Sequence, residues 1–124
     1  MQCPPIPTHL HITLRPRVNG YDVVETEARE TFSLPVATTP DDIRRGLMHR
    51  EDVGNGMLFA FESPRVPSFW MKHTLVPLDM EFLDADLNLV DVHRHVQPGD
   101  LTPRRPSSPV CFVVERPAGS SVVV

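Results

Sequence analysis

Apolar and polar residues alternate along several short stretches of this chain, which is the spacing of β-strands that bury one face. In residues 78–83, Asp79 and Glu81 are predicted to face solvent between inward apolar residues. Residues 89–96 repeat the pattern, with His93 and His95 on the polar side. The predicted strands span residues 9–15, 31–37, 56–61, 69–74, 78–83, 89–96, 110–115 and 121–124. The first is placed at a sheet edge. So many short strands predict a mainly β fold, an antiparallel β-sandwich or barrel-like domain with one short α-helix.

The helix is predicted over about residues 40–49. Thr39 can cap it through its hydroxyl group, and Pro40 suits the first helical position. Asp41 and Asp42 favour the positive end of the helix. The helix is predicted to end near Arg50.

Residues 78–96 predict a β-hairpin with the three-residue loop Ala85-Asp86-Leu87, in which Asp84 faces Asn88. Such a loop usually ends on a residue in the left-handed conformation, which is unfavourable for leucine. The predicted register pairs Phe82 with Val90, Met80 with Val92, Glu81 with Asp91 and Asp79 with His93.

Composition limits the classes of protein to which the chain can belong. Its 124 residues fit one domain, predicted as residues 9–124 after a flexible lead-in at residues 1–8. A net charge of −4 argues against nucleic-acid binding, and no apolar run approaches the length of a membrane span. No secretory signal is visible, so a cytoplasmic location is expected unless a leader has been removed.

The two cysteines are Cys3, in a proline-rich stretch, and Cys111, in an apolar run. A disulfide between them is compatible with the sequence, but two cysteines do not define a disulfide framework. We therefore predict a mobile thiol at Cys3 and a small buried side chain at Cys111.

A set of linked motifs covers the middle and the end of the chain. The motifs are Arg45-Gly46-Leu47-Met48-His49-Arg50, Gly56-Met57-Leu58-Phe59-Ala60-Phe61, Phe69-Trp70-Met71-Lys72-His73-Thr74, Pro77-Leu78-Asp79, Phe82, Val114-Glu115 and Ala118-Gly119. In this order they resemble the signature of a bacterial and archaeal family called domain of unknown function 192, over residues 31–119. The resemblance implies a small β-sandwich or barrel-like domain with one short helix, and it implies no activity. The chain departs from the family pattern at His73, where Asn is usual, and at Leu87, where a turn glycine is usual.

The polar residues of these motifs predict a ligand site formed by Arg50, Trp70, Lys72, Thr74 and Asp79. If the helix end lies over the strand that carries Lys72, Arg50 and Lys72 would donate to a carboxylate or phosphate. Trp70 would stack on a ring, including a sugar ring. The chain would then be a small-ligand or carbohydrate-type binding module. In the structural alternative, Arg50 and Asp79 form an ion pair, Trp70 lies in the core and Lys72 in solvent.

Two other functions stay open. Asp79, His93 and His95 would bind a divalent metal in a metal-binding protein or a metal-dependent enzyme. The same alternation is typical of a solvated sheet face, which we favour. The third function is an accessory protein whose exposed patch binds a partner. A copper site of methionines with His49 or His73 is disfavoured, because most methionines lie in apolar runs. The sequence identifies no catalytic grouping and no cofactor.

Overall fold

The computed structural model describes residues 2–6, 10–14, 17–18, 21–22, 29–32, 34–120 and 122–123, with side chains described in residues 2–6 and 34–120. Strands dominate this part of the chain, so the predicted mainly β fold with one short helix is confirmed. The elements are β1 (Leu10–Leu14), β2 (Arg17–Val18), β3 (Tyr21–Asp22), β4 (Arg29–Phe32), β5 (Val36–Ala37), α1 (Pro40–Arg45), β6 (Met57–Arg65), β7 (Leu78–Leu83), β8 (Leu89–Val96), β9 (Val110–Pro117) and β10 (Val122–Val123). The described part contains no helix with the length and hydrophobicity that a membrane crossing requires.

The largest sheet has five strands in the order β5-β6-β9-β7-β8. β5 is parallel to β6, and the other neighbours are antiparallel. This sheet has two edges, β5 and β8, so it is not closed into a barrel. A three-stranded sheet has the order β10-β1-β4, and β2 pairs with β3. β1 is central in its sheet, so the prediction of an edge strand there is wrong. The predicted turn at Asn19-Gly20 lies outside the described residues.

Pro35 divides the strand that the sequence predicts over residues 31–37. β4 ends at Phe32 and β5 begins at Val36, because proline supplies no N–H to a strand ladder. The Pro35 carbonyl accepts a hydrogen bond from the backbone N–H of Leu58 at 2.9 Å. This bond starts the short edge strand beside β6.

The helix begins as predicted and ends earlier. The Thr39 hydroxyl accepts a hydrogen bond from the backbone N–H of Asp42 at 3.1 Å, and Pro40 occupies the first turn. The prediction of a helix to about residue 49 is wrong, since Gly46 ends it with φ 47°. A side chain there would also be crowded, because a Cβ at Gly46 would lie 3.2 Å from Cζ of Phe59. Turns replace the predicted last helical turn.

The central strands of the large sheet are buried on both faces. One apolar cluster includes Phe59, Phe82 and Val113, and a second cluster includes Leu83 and Phe112. Edge-to-face ring contacts in the first cluster join Phe59, Phe69 and Phe82, with ring centroids 5.0 Å and 6.1 Å apart. All six residues of β7 are buried.

The prediction that Asp79 and Glu81 face solvent is therefore wrong. Each side chain is 1% exposed. Alternation along one strand shows which residues share a face, but it does not show whether that face is covered. All six residues of β7 are buried, so both of its faces are covered.

The β7–β8 hairpin has a different register from the predicted one. Leu83 pairs with Leu89. The next pairs along the strands are displaced by one residue, because Val90 is an extra residue in a β-bulge. The displaced pairs are Phe82 with Asp91, Glu81 with Val92 and Met80 with His93. A second irregularity lies between Leu78 and Met80, and His95 opposite it has φ 53°.

The hairpin loop itself follows the prediction. The backbone N–H of Asp84 donates to the carbonyl of Asn88 at 3.0 Å, so these two residues face each other. Leu87 takes the left-handed conformation with φ 65°. Its side chain packs against the second apolar cluster, which offsets the conformational cost of a leucine there.

The predicted strand over residues 69–74 is wrong. Only a single bridge forms, between Phe69 and Arg104, and the chain then turns away. The backbone N–H of Met71 donates to Asp100 at 2.8 Å, and the N–H of Thr74 donates back to Met71 at 3.0 Å. His73 has φ 56°, which is incompatible with an extended strand. The segment is a loop held against the loop of residues 97–104.

Cys3 and Cys111 form a disulfide with their Cα atoms 5.6 Å apart, so the prediction of unpaired cysteines is wrong. The backbone N–H of Cys3 donates to the carbonyl of Glu62 at 2.8 Å, which places the N-terminal segment along β6. The two cysteines are 108 residues apart in sequence, and only the tertiary fold brings them together.

Candidate functional site

A cavity of about 590 Å³, the main cavity, lies between α1 and β6, with the loop of residues 67–74 in its wall. Pockets that hold small molecules are usually roughly 300–1,000 Å³ and mostly apolar, with a few polar groups. The apolar part of its wall includes Ile43, Leu47, Phe59, Phe61 and Phe69. The cavity therefore has the size of a small-molecule site, and polar and apolar atoms contribute about equally to its wall.

Two buried polar residues, Glu115 and Thr74, line the same cavity. Glu115 is 5% exposed, and burial raises the pKa of its carboxyl group to about 8. The group therefore holds its proton at neutral pH and offers both an O–H donor and an acceptor. The Thr74 hydroxyl donates a long hydrogen bond to the carbonyl of Lys72 at 3.4 Å.

The fold buries Glu115 because its strand, β9, is central in the sheet. Glu115 pairs with Met57 on β6 and with Met80 on β7, so apolar neighbours flank the carboxyl group on both sides. The backbone of Gly56 approaches closely, since a Cβ there would lie 1.9 Å from the carbonyl oxygen of Glu115. Burial removes water from the Glu115 carboxyl group, and this desolvation is the cause of its raised pKa.

Three arginines border the main cavity. Arg44 and Arg45 extend from the last turn of α1 and form ion pairs with Asp41 and Asp42, the second at 2.7 Å. The guanidinium of Arg65 lies over the ring of Phe61, 5.0 Å from its centroid. The border therefore carries three guanidinium groups, two of them paired with acids of the helix, together with the exposed carboxylate of Glu62.

Trp70 lines the main cavity and is 45% exposed, so it does not lie in the core. The Nζ of Lys72 lies 5.2 Å from the ring centroid of Trp70, a cation–π geometry. Both residues also line a second concavity of about 530 Å³, the side recess. Trp70 thus lines two concave surfaces, and its half-exposed ring is accessible to a ligand.

The loop that carries Trp70 is held by the neighbouring loop of residues 97–104. The backbone groups of Phe69 and Arg104 exchange two hydrogen bonds, at 2.9 Å and 2.7 Å. Asp100 stabilises the second loop because the backbone N–H of Thr102 donates to its carboxylate at 2.9 Å. That bond lowers the pKa of Asp100, and the ion pair with Arg104 at 2.9 Å adds to the effect.

Of the five predicted site residues, the structure brings Trp70, Lys72 and Thr74 to these two concavities. Arg50 is exposed beyond the end of the helix and lines neither of them. Asp79 is buried elsewhere in the sheet. Its carboxylate oxygens accept backbone N–H bonds from His95 at 2.8 Å and Gly119 at 3.2 Å. Arg50 does not join them because the helix that was expected to carry it stops at Arg45.

The residues of the metal hypothesis do not converge. Asp79 is held by backbone N–H groups, and the second irregularity of the β7–β8 pairing lies between His93 and Val96, where His95 is located. The Nε2 of His93 lies 3.9 Å from the nearest oxygen of Asp91 and 3.1 Å from the carbonyl of Arg105. Among the side chains that the structure describes, no group of three His, Cys, Asp or Glu residues is placed to hold a metal ion.

The reasoning from sequence did not select Glu115 or the arginines of the cavity border. Glu115 appears only within the closing motif, but it is an acidic residue that directly follows the apolar run of residues 110–114. An acid at an inward position of such a run is a signal of a buried carboxyl group. The arginines carry no comparable signal, since arginines are common on surfaces.

Comparison with known proteins gives a family and a fold. Residues 23–122 match the family of domain of unknown function 192, described as "Uncharacterized ACR". A protein of unknown function from Novosphingobium aromaticivorans is similar in structure, with a TM-score of 0.68, 29% identity and coverage of 87% of this chain and 81% of that one. A Sinorhizobium meliloti protein described as a proposed transcription regulator has a TM-score of 0.71 and 26% identity, over 93% of this chain and 86% of that one. No curated protein matches the chain.

Proposed function

The chain belongs to the family of domain of unknown function 192, and we propose that within it this domain binds a small molecule in the main cavity. The observation that carries the proposal is the combination of an exposed Trp70 and a buried Glu115 in the wall of one cavity of about 590 Å³. Aromatic faces and a few convergent polar groups in an otherwise apolar pocket are typical of ligand sites.

The buried carboxyl group supports this proposal. Burying an acid without a charged partner costs free energy, and groups with strongly shifted pKa values concentrate at functional sites. The pKa of Glu115 is raised to about 8 by burial, so the group is a neutral hydrogen-bond donor at pH 7. A ligand with a hydroxyl or carbonyl group could exchange hydrogen bonds with this protonated carboxyl group.

The ligand class follows from the side chains in the wall of the cavity. Trp70 favours a flat or sugar-like ring, and Glu115 with Thr74 favours uncharged oxygen atoms on that ring. We therefore expect a polar ring compound, such as a sugar or an oxygen-rich heterocycle.

Trp70 is the only tryptophan in the chain, so its fluorescence reports directly on this site. We expect members of a panel of sugars, neutral heterocycles and organic acids to change the Trp70 emission and to raise the melting temperature. Glu115→Leu should weaken binding at least about tenfold, because the ligand loses a buried hydrogen bond. Glu115→Gln should bind more tightly than Glu115→Leu, because the amide still hydrogen-bonds.

Glu51→Gln is the matched control, since Glu51 is exposed and does not line the cavity. It should bind like the wild type. A panel in which no compound changes the fluorescence or the melting temperature would contradict the proposal. Unchanged affinity in Glu115→Leu would contradict it as well.

The Sinorhizobium meliloti neighbour is described as a proposed transcription regulator, but the charge of this chain argues against DNA binding. Binding to DNA depends on an excess of cationic residues, and this chain has a formal net charge of −4. A filter-binding assay with duplex DNA at low salt should show no retention, and retention there would reopen the question.

The disulfide supports a location outside the reducing cytoplasm. Disulfides between distant residues persist in oxidising compartments and are rare in cytosolic proteins. We infer that this domain works in such a compartment, with Cys3 and Cys111 joined. Thiol trapping in freshly lysed cells should find both cysteines oxidised, and labelling of both by the alkylating reagent would contradict the inference.

A further inference from the structure

The side recess shares Trp70 with the main cavity but has lining residues of its own. Its volume is about 530 Å³, and it is lined by the ring of Trp70, by Lys72 and by two histidines, His49 and His73. We propose that the side recess binds an anionic group, a carboxylate or a phosphate, between Lys72 and the paired imidazoles of His49 and His73.

The two histidines contact each other through their rings and their backbones. Their rings stack with centroids 5.0 Å apart and planes inclined by 21°. The backbone N–H of His49 donates to the carbonyl of His73 at 2.8 Å, which ties the end of the turn after α1 to the loop that carries Trp70. Each imidazole offers a ring N–H donor, so the pair presents two donors from two different segments of the chain.

Both histidines occupy a backbone conformation that side chains disfavour. His49 has φ 64° and His73 has φ 56°, in the left-handed region where glycine is least strained. Both residues are exposed, so core burial does not explain why side chains stand there. Strain of this kind concentrates at ligand sites. The stack, the recess and the strain together indicate that the imidazoles are present for what they bind.

The charges that border the recess favour an anion. Arg44, Arg45 and Lys72 are cationic, and Asp41 is the single carboxylate in its lining. Arg44 and Arg45 are paired with acids of the helix, whereas Lys72 has no ion-pair partner in the part of the chain that the structure describes. Its ammonium lies over the Trp70 ring, 5.2 Å from the centroid. A bound anion would accept charge-assisted hydrogen bonds from Lys72 and further hydrogen bonds from the ring N–H groups of the imidazoles.

The recess and the main cavity share Trp70 as a common wall. A ligand whose ring lies in the main cavity can therefore place an acidic substituent in the side recess. This extension rests on the proposed function: it narrows the ligand class from a polar ring compound to one that carries a carboxylate or a phosphate. The anion site itself does not depend on it.

Lys72 is the only lysine of the chain, which makes the anion site measurable without a known ligand. Inorganic phosphate and acetate are the probes, with potassium chloride at equal ionic strength as the salt control. Mass spectrometry follows the rate at which an amine-reactive acetylating reagent modifies Lys72, and fluorescence follows Trp70. We expect phosphate or acetate to slow the acetylation at least about fivefold and to change the emission, with no such effect from chloride.

The variants test which groups hold the anion. Lys72→Met and His73→Gly should each weaken phosphate or acetate binding, followed by Trp70 fluorescence, at least about tenfold. Arg105→Gln, an exposed cation outside the recess, should bind like the wild type. Circular dichroism confirms that each variant is folded. Equal protection by chloride would overturn the proposal, and so would wild-type affinity in a folded His73→Gly variant.

The same measurements separate this inference from the proposed function. Among compounds that bind in the fluorescence panel, acids should bind at least about tenfold more tightly than their uncharged amides, and Lys72→Met should remove that difference. If uncharged compounds bind but neither phosphate nor acetate protects Lys72, the proposed function stands and the anion site is overturned. If phosphate or acetate protects Lys72 but no ring compound binds, the anion site stands and the proposed function is contradicted.

Discussion

The buried carboxyl group of Glu115 makes the stability of the domain depend on pH in a direction that can be measured. Burial raises the pKa of Glu115 from an ordinary value of 4.5 to about 8. In the unfolded chain the group is in water and titrates near its ordinary value. The perturbation is a change of pH in the wild type, compared with the same change in Glu115→Gln, which keeps the size of the side chain and removes the titration.

The sign follows from proton linkage. Below pH 4.5 the carboxyl group is protonated in the folded and in the unfolded state, so it does not make the free energy of unfolding depend on pH. Between pH 4.5 and about 8 the folded protein keeps a proton that the unfolded chain releases, so the free energy of unfolding falls as pH rises. The fall is about 1.4 kcal/mol per pH unit, and on the order of 5 kcal/mol across the window. That is comparable to the whole stability of a small domain, roughly 5–15 kcal/mol.

Urea denaturation at intervals between pH 5 and pH 9 measures the effect. We expect the wild type to lose stability steadily up to about pH 8, and Glu115→Gln to lose much less. Asp100 does not contribute, because its pKa is lowered from 3.8 by the backbone N–H of Thr102 and it is ionised in both states across this range. Glu51→Gln should follow the wild type. Parallel curves for the wild type and Glu115→Gln would refute the assignment of a neutral Glu115 in the folded state.

Three further predictions concern the backbone and the disulfide. Cys3→Ser removes the disulfide between Cys3 and Cys111, which joins residues 108 positions apart, and should lower the free energy of unfolding in urea by up to about 5 kcal/mol. The reduced wild type should show the same loss. Equal stability with and without reductant would contradict this prediction. Gly56→Ala should lower the free energy of unfolding by about 3 kcal/mol or more, because its Cβ would lie 1.9 Å from a backbone oxygen of β9. Gly54→Ala, with open space around it, should lower it by only about 1 kcal/mol. Equal losses in the two variants would refute the predicted clash at Gly56. His73→Gly should raise the free energy of unfolding by about 0.5–1 kcal/mol, since it relieves a left-handed φ of 56°; a large loss in thermal or urea unfolding would show that the imidazole stack is structural.

Features with local causes were predicted well from the sequence. The helix start depends on Thr39 and Pro40, which act on the backbone within one turn, and both behave as predicted. The hairpin turn depends on residues 84–88, and its closing hydrogen bond forms as expected. The family resemblance also rests on short motifs and is confirmed over residues 23–122. Of the proposed binding residues, the sequence predicts Trp70, Lys72 and Thr74, because they are polar or aromatic positions within one motif.

Features that depend on contacts between distant segments could not be predicted from local sequence patterns. A single bulge at Val90 moves the hairpin register by one residue, and no local sequence pattern predicts that bulge. The burial of Asp79 and Glu81 depends on what covers the second face of β7, which alternation along the strand does not report. The loop at residues 69–74 is held by another loop some thirty residues later rather than by a strand partner.

The sequence by itself determined most of the strands from a period of two, the start of one capped helix from its first residues, and the family from ordered motifs. Only the tertiary structure decided which of their side chains share a space. It joined Cys3 to Cys111, brought Glu115 from β9 to the cavity beside Trp70, and left Arg50 outside. The physical reason is range. Periodicity, capping and turn preference act over a few residues, whereas burial, register and cavity shape depend on segments that folding brings together from across the chain.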